Sequence, residues 1–238
     1  MSQIQKKKPD SHPLFSEDEV FIIGAGHFGK RAVEVLSSQI NSPLRVVEKN
    51  REALRLITGS LVKRIENDGV SFLVGSFHLL HPTNIIVPAV PIHLAYEWLL
   101  LSLKRGLGVC KIRVPESIKP LLPHTWEGSE DSLLVSYANF RCPEDCPEPS
   151  DYCTVTGKKR GTPLHALLND IAPARFRIHV LQSRQLAPGV GGYSVGDLQK
   201  LLRRVESGGE GKWLVATACK CHGVVSAMEV KIGKPISF

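Results

Sequence analysis

Five of the six cysteines fall in two tight groups. Cys142, Cys146 and Cys153 share a proline-rich loop, with three and then six residues between them. Cys219 and Cys221 sit in a short turn and run directly into His222. Thiolates and imidazoles at such spacings bind metal ions, and loops let them converge on one ion without distorting a helix. Three ligands from the first group and one from the second complete a tetrahedron. A Cys₃His set suits structural zinc, and a Cys₄ set suits zinc or an iron–sulfur cluster. Cys142, Cys146 and Cys153 are the expected ligands, with Cys221 as the fourth and Cys219 or His222 as its alternates. Lys158, Lys159 and Arg160 follow the loop, where they balance thiolate charge, bind an anionic ligand or form a solvated basic turn.

A second group of residues does its chemistry through the backbone. Val20 to Ile23 is an apolar run entering Gly24-Ala25-Gly26-His27-Phe28-Gly29, and a helical pattern follows through Ala32, Val33, Val35 and Leu36. G-x-G-x-x-G between a strand and a helix is a dinucleotide fingerprint. Gly24 permits the tight turn, Gly26 lets a pyrophosphate approach the backbone, and Gly29 lets the helix pack close to the strand. The helix N-terminus then offers N–H groups and partial positive charge to a phosphate. Leu44 to Glu48 reads as the next strand and ends in an acid 19 residues after Gly29, near the spacing of about 20 at which a carboxylate binds the ribose hydroxyls. Glu48 favours NAD because its charge repels a 2′-phosphate. Lys49 and Arg51 could accept that phosphate, so NADP stays open. The candidate cofactor residues are Gly24, Gly26, His27, Phe28, Gly29, Glu48 and Lys49. His27 either faces the cofactor or is simply exposed.

These residues need a frame. Residues 1–17 are polar, carry Lys6-Lys7-Lys8, and read as a disordered arm. Strands near 20–24, 44–48, 71–75, 84–90 and 109–114 alternate with helices near 27–38, 50–58 and 91–105. That alternation predicts a doubly wound parallel Rossmann sheet over 18–116. Pro88 ends its strand's pairing or marks an edge. Leu94, Trp98 and Leu101 form the buried face of the last helix, and Lys104-Arg105-Gly106 ends it. Cys110 reads as half-buried packing. Prolines 115, 120 and 123 mark a boundary, and 117–238 is expected to be a smaller α+β cysteine-rich domain. Its elements are strands near 133–137, 176–182, 213–218 and 224–230 and helices near 163–171 and 195–206. A glycine-rich turn is expected at 189–192, and Ser194 with Asp197 forms a capping pair.

The segment Ile22–Gly29, its helix, and Val46-Val47-Glu48-Lys49-Asn50 resemble the NAD-binding regulatory domain of bacterial potassium-uptake systems and potassium channels, the RCK or TrkA-N type. The resemblance covers roughly the first hundred residues. It implies a sensing or regulatory role for bound NAD(H). Two features depart from that family. The expected third strand runs into Gly75-Ser76-Phe77-His78 where the family carries an acid, and the cysteine-rich part has no counterpart.

The net charge of +7 is too mild and too scattered to argue for nucleic acid as a partner. No signal-peptide pattern and no membrane-length apolar run is visible, so the expected location is cytoplasmic. No G-x-S-x-G, H-E-x-x-H or Walker lysine motif supports hydrolysis or phosphoryl transfer. His78 and His81 lie near an expected strand end, where they either serve as acid–base groups or, the favoured reading, are loop histidines with no chemical role. Three readings result. The first is an NAD(H)-binding sensing or regulatory protein with a metal-binding C-terminal domain. It would act as a homo-oligomer, with any transport role needing a separate membrane or protein partner. The second is an NAD-dependent oxidoreductase using an iron–sulfur or zinc centre. The third is an interaction module stapled by zinc.

Overall fold

The computed structural model describes residues 19–40, 43–104, 108–149, 151–171 and 173–231. The expected arm at 1–17 and the helix stop at Arg105-Gly106 lie outside the described residues.

The chain begins with β1 (Val20–Ile23), buried along its whole length. Helix α1 (His27–Gln39) follows and turns Gly29, Ala32, Val33 and Leu36 inward. β2 (Leu44–Glu48) lies parallel to β1, with Val46 opposite Ile22. Asn50 Oδ1 then accepts the N–H groups of Glu52 and Ala53 at 3.0 and 3.1 Å and starts α2 (Arg51–Arg55), a cap worth about 1 kcal/mol.

The third strand is not where the sequence suggests. β3 (Val62–Glu66) pairs parallel to β2 as the end strand, with its charged residues exposed. The apolar run expected to be a strand at 71–75 is helix α3 (Gly69–Ser76). A short apolar run has no period of its own, and the local cap decides. Asp68 Oδ1 accepts the Ser71 N–H at 2.9 Å, while Phe72 packs against Phe21 with ring centroids 5.8 Å apart.

β4 (Ile85–Pro88) pairs parallel to β1, and the pairing ends at Pro88 as expected. Helix α4 (Leu94–Leu103) starts three residues later than Pro91, with His93 at the N-cap position but no side-chain cap. Leu94 and Trp98 are buried, but Leu101 is 39% exposed. The buried set is instead nearly all-round, including Ala95, Tyr96, Leu99, Leu100 and Leu103. Such a helix belongs inside a core.

β5 (Gly108–Ile112) does not join the first sheet. It pairs antiparallel with a later strand, and Cys110 is exposed rather than half-buried. β6 (His124–Glu127), β7 (Leu133–Ser136), α5 (Leu164–Asp170) and β8 (Phe176–Gln182) follow. Then comes the hairpin β9 (Arg184–Ala187) and β10 (Val190–Ser194), where a glycine-rich turn is expected. Only Gly189, at φ 74°, makes the turn. The remaining glycines extend as strand. Ser194 and Asp197 form a reciprocal capping box for α6 (Val195–Gly208). β11 (Gly211–Ala218) and β12 (His222–Lys231) complete the chain, with β12 as the partner of β5.

Two mixed sheets result. The first has the order β3-β2-β1-β4-β10-β9, and the second β6-β7-β12-β11-β8, with β5 on the far part of β12. The first sheet is not wholly parallel, because β10 runs antiparallel to β4 and β9 antiparallel to β10. β8 and β11 are parallel neighbours, and the chain between them visits the first sheet. The division between the sheets therefore does not fall at residue 116.

The period-2 alternation of strands sorts side chains into layers. Phe21 and Ile23 face the same cluster as Trp98, Leu198, Trp213, Val215 and Met228. Ile22 and Val46 face Ala32 and Leu36 of α1 on the opposite side. Leu214 and Ala216 face Leu164 and Leu168 of α5. Helices α3, α4 and α6 thus share a core with one face of each sheet. Within it, the buried His93 ring bonds Ser226 Oγ and Thr217 Oγ1, each at 2.9 Å. Burial lowers its pKa to about 3. Among the described residues no helix is long and apolar enough to cross a membrane.

Candidate functional site

The glycine loop leaves β1 through Gly24, whose φ of 110° disfavours any side chain. A Cβ there would also lie 2.5 Å from the Ala89 carbonyl oxygen. A Cβ on Gly29 would fall 2.0 Å from the Gly24 oxygen, so helix and loop touch through bare backbone. At Gly26 a Cβ would meet nothing within 4 Å. The first and last glycines are required by packing, whereas the middle one faces open space.

Glu48 ties the end of β2 to this loop. Its Oε2 accepts the Ala25 N–H at 2.9 Å and its Oε1 the Asn50 N–H at 2.7 Å. Helix α1 begins without a side-chain cap or a first-turn acid of its own. Its early N–H groups have no partner inside the helix. Lys49 is exposed, while Arg51 pairs with Glu66 at 3.5 Å.

His27 and Phe28 are exposed at the start of α1. His27 Nε2 lies 2.9 Å from Glu144 Oε2, and Arg31 Nε donates to the Glu144 carbonyl at 3.1 Å. The His27 hydrogen bond, helped by the charges of His27, Arg141 and Arg31, holds the Glu144 carboxyl below its ordinary range. Glu144 belongs to the cysteine loop, so this loop rests on the glycine-loop helix.

Other bonds hold the same loop from behind. The Cys146 carbonyl accepts Gly189 N–H at 3.1 Å and Gln185 Nε2 at 2.7 Å. Glu148 Oε1 accepts the Lys220 N–H at 2.7 Å, which ties the loop to the turn between β11 and β12. In that turn Cys219 Sγ accepts the N–H groups of Cys221 and His222 at 3.4 and 3.3 Å. Cys142 Sγ lies 3.3 Å from His222 Nε2, although eighty positions separate them. An Arg160 guanidinium nitrogen lies against Cys221 Sγ.

All five clustered cysteines and His222 line one cleft of about 810 Å³, together with Phe28 and Arg160. Cys110, His78 and His81 do not line it. His81 is bound in a turn to Thr83 Oγ1 at 2.8 Å. Among the described residues, no group of three or more His, Cys, Asp or Glu side chains is arranged to hold an ion as it stands.

The thiols differ from one another. Burial, with the neighbouring Glu148, pushes Cys219 up to about 12. Burial and the charges of Cys146, Cys153 and Cys221 raise Cys142. Burial raises Cys221 against the pull of Arg160. Cys153 is lowered, first by a hydrogen bond from the Thr156 side chain and then by the N–H groups of Thr156 and Val155. Burial lowers His222.

Residues 95–231 match the AF_1314_C family, described as "Uncharacterized protein, C-terminal domain". A protein of Archaeoglobus fulgidus described as "Uncharacterized protein" is 34% identical over 220 residues, covering 87% of this chain and 98% of the relative. The chain belongs to this family. No solved structure matches it. The family match begins inside α4 and contains every cysteine, Arg160, Glu144 and Glu148. Sequence reasoning passes over Glu144 and Glu148 because nothing in their spacing sets them apart. Their partners, His27, Arg31 and Lys220, are distant in the chain.

Proposed function

We propose that the parallel half β3-β2-β1-β4 is a Rossmann-type unit that binds a dinucleotide, NAD(H) in preference to NADP(H). The second sheet with its cysteine turns packs against the same core as a second unit beside it. The observation that carries this reading is the division of labour among the three glycines. Gly24 and Gly29 are held in contact with backbone, and Gly26 opens onto free space beside uncapped helix N–H groups. A pyrophosphate fits there, because a helix N-terminus attracts anions and only Gly26 would leave the approach clear. Each Glu48 oxygen already accepts one N–H and keeps a second lone pair for a ribose hydroxyl. Arg51 is engaged by Glu66, which leaves Lys49 to meet a 2′-phosphate against the repulsion of Glu48. With β3 at 62–66, Asp68 follows the third strand and restores the acid that the RCK-type resemblance calls for. When bound, the nicotinamide supplies hydride chemistry. The chain's own residues bind and orient the cofactor.

The role we assign is sensing or regulation by bound NAD(H) in a homo-oligomer, acting on a separate membrane or protein partner. An oxidoreductase is the second reading. Its support is that Phe28, in the first turn of α1, lines the same cleft as the clustered thiols. Titration calorimetry of the full chain with NAD and NADP tests the binding claim. NAD should bind more tightly than NADP, and Gly26→Val should abolish binding without unfolding the protein. A folded Gly26→Val variant with undiminished NAD affinity would end the reading. Turnover of NADH with an artificial electron acceptor, absent from Cys→Ser variants, would select the oxidoreductase.

A further inference from the structure

We infer that Cys142, Cys146, Cys153 and Cys221 form a tetrathiolate metal centre in the cleft, with Arg160 as its counter-cation. This does not rest on the dinucleotide reading.

The first support is convergence. The four side chains come from a loop and from a turn far along the chain, yet all line one cleft. Protein hydrogen bonds fix the loop backbone there, from Gly189 and Gln185 at Cys146 and from Lys220 at Glu148. A site whose backbone is already placed loses less entropy when the metal arrives.

The second support is the treatment of sulfur by the backbone. Cys153 sits in a closed turn, where its N–H donates to the Lys158 carbonyl and its carbonyl accepts the Gly157 N–H, each at 2.8 Å. In the second turn Cys219 Sγ receives the N–H groups of Cys221 and His222. Those two bonds fix the backbone that carries Cys221 and His222 into the cleft. Arg160 lies beside Cys153, with its Nε donating to the Tyr152 carbonyl at 3.0 Å, and both residues line the cleft. Glu148 sits beside Cys219, with its carboxylate accepting the N–H of the next residue, Lys220, at 2.7 Å, so a metal-bound thiolate at Cys219 would meet like charge. Cys221 lies against Arg160, which makes it the fourth ligand and leaves Cys219 as a support of the turn. His222 Nε2, beside Cys142 Sγ, serves as a hydrogen-bond partner to that ligand.

The third support is charge. Four thiolates around a divalent ion carry a net charge of about −2. Lys158, Lys159 and Arg160 line the same cleft and offset it. Metal binding must break two present contacts, Arg160 on Cys221 and Thr154 Oγ1 at 3.8 Å from Cys146 Sγ. Arg160 then passes from partner of one thiolate to counter-charge for the set.

The test is metal and sulfide analysis of full-length protein purified without oxygen, with a visible spectrum and X-ray absorption at the metal edge. Zinc in a colourless protein, or iron with acid-labile sulfide in a brown one, each with a four-sulfur shell near about 2.3 Å, is the expected result. Cys146→Ser and Cys221→Ser should lower metal content at least about fivefold, while Cys110→Ser and His222→Ala keep it. If the serine variants fail to fold, the sulfur shell of the unmodified chain decides the question. Absence of stoichiometric metal, a shell with fewer than four sulfurs, or loss in His222→Ala equal to that in Cys221→Ser overturns the assignment.

Discussion

The glycine loop and the cysteine cleft lie side by side but are built in opposite ways. The glycine loop is contiguous, and its key features are absences: no Cβ at Gly24 or Gly29, and none to obstruct Gly26. Backbone geometry does the work there, and one acid, Glu48, closes it from the next strand. The cysteine cleft is made of side chains from separate segments, and it exists only because Glu144, Cys146 and Glu148 are anchored to α1, the β9–β10 hairpin and the 219–222 turn. A backbone site is disrupted by added atoms. A side-chain site is disrupted by removing one ligand or one anchor.

Among substitutions at neutral pH, the largest loss of stability should come from adding an atom where the loop has no room. Gly29→Ala places its Cβ against the Gly24 oxygen, and overpacking of this kind costs about 1–3 kcal/mol. Gly26→Ala should cost well under that, since its Cβ is free. Chemical denaturation of both variants checks the contrast. Equal losses would mean that Gly26 is as confined as its neighbours.

A pH scan probes the core that the two regions share. His93 folds neutral with a pKa of about 3, against 6.5 in the unfolded chain. The unfolded state therefore binds a proton first. Stability is complete above about pH 6.5 and falls as pH drops toward 3, by up to about 1.4 kcal/mol per unit. His93→Gln should remove that share of the slope. The check is denaturant unfolding at several pH values between 7 and 4, and an unchanged slope would mean that His93 is not the titrating group.

A smaller effect tests the frame behind the cleft. Ser194→Ala removes the Oγ that accepts the Asp197 N–H at 3.0 Å, and loss of such a cap costs about 1 kcal/mol. Metal content should be unaffected.

The smallest effect on stability sharpens the comparison most. Glu144→Gln removes the carboxylate charge from the exposed His27 contact. The melting temperature should not change, because exposed pairs contribute little. NAD affinity should rise modestly, since a negative charge leaves the helix N-terminus where a phosphate is expected. Calorimetry on the variant reads the shift, and weaker binding would place Glu144 among the cofactor's supports.

Much of the molecule was legible in advance where the signal is local. The G-x-G-x-x-G loop, strand 44–48 with its terminal acid, strand 176–182 and the Ser194–Asp197 box each depend on a few adjacent residues. Their period or cap chemistry leaves little choice. The clustering of cysteines into two groups was likewise visible as spacing. The sequence could not place what pairing decides. Val70–Gly75 is apolar enough for either a strand or a helix, and the Asp68 cap together with burial against Phe21 makes it helical. The segment 108–112 reads as one more parallel strand, but its hydrogen bonds go to β12, more than a hundred residues on. The hairpin around Gly189 looks like a loop until β4 offers it an edge. Arg160 against Cys221, and Glu144 against His27, belong to the same class. A single residue's type states what it can bond, and only the folded chain states which distant group arrives to be bonded.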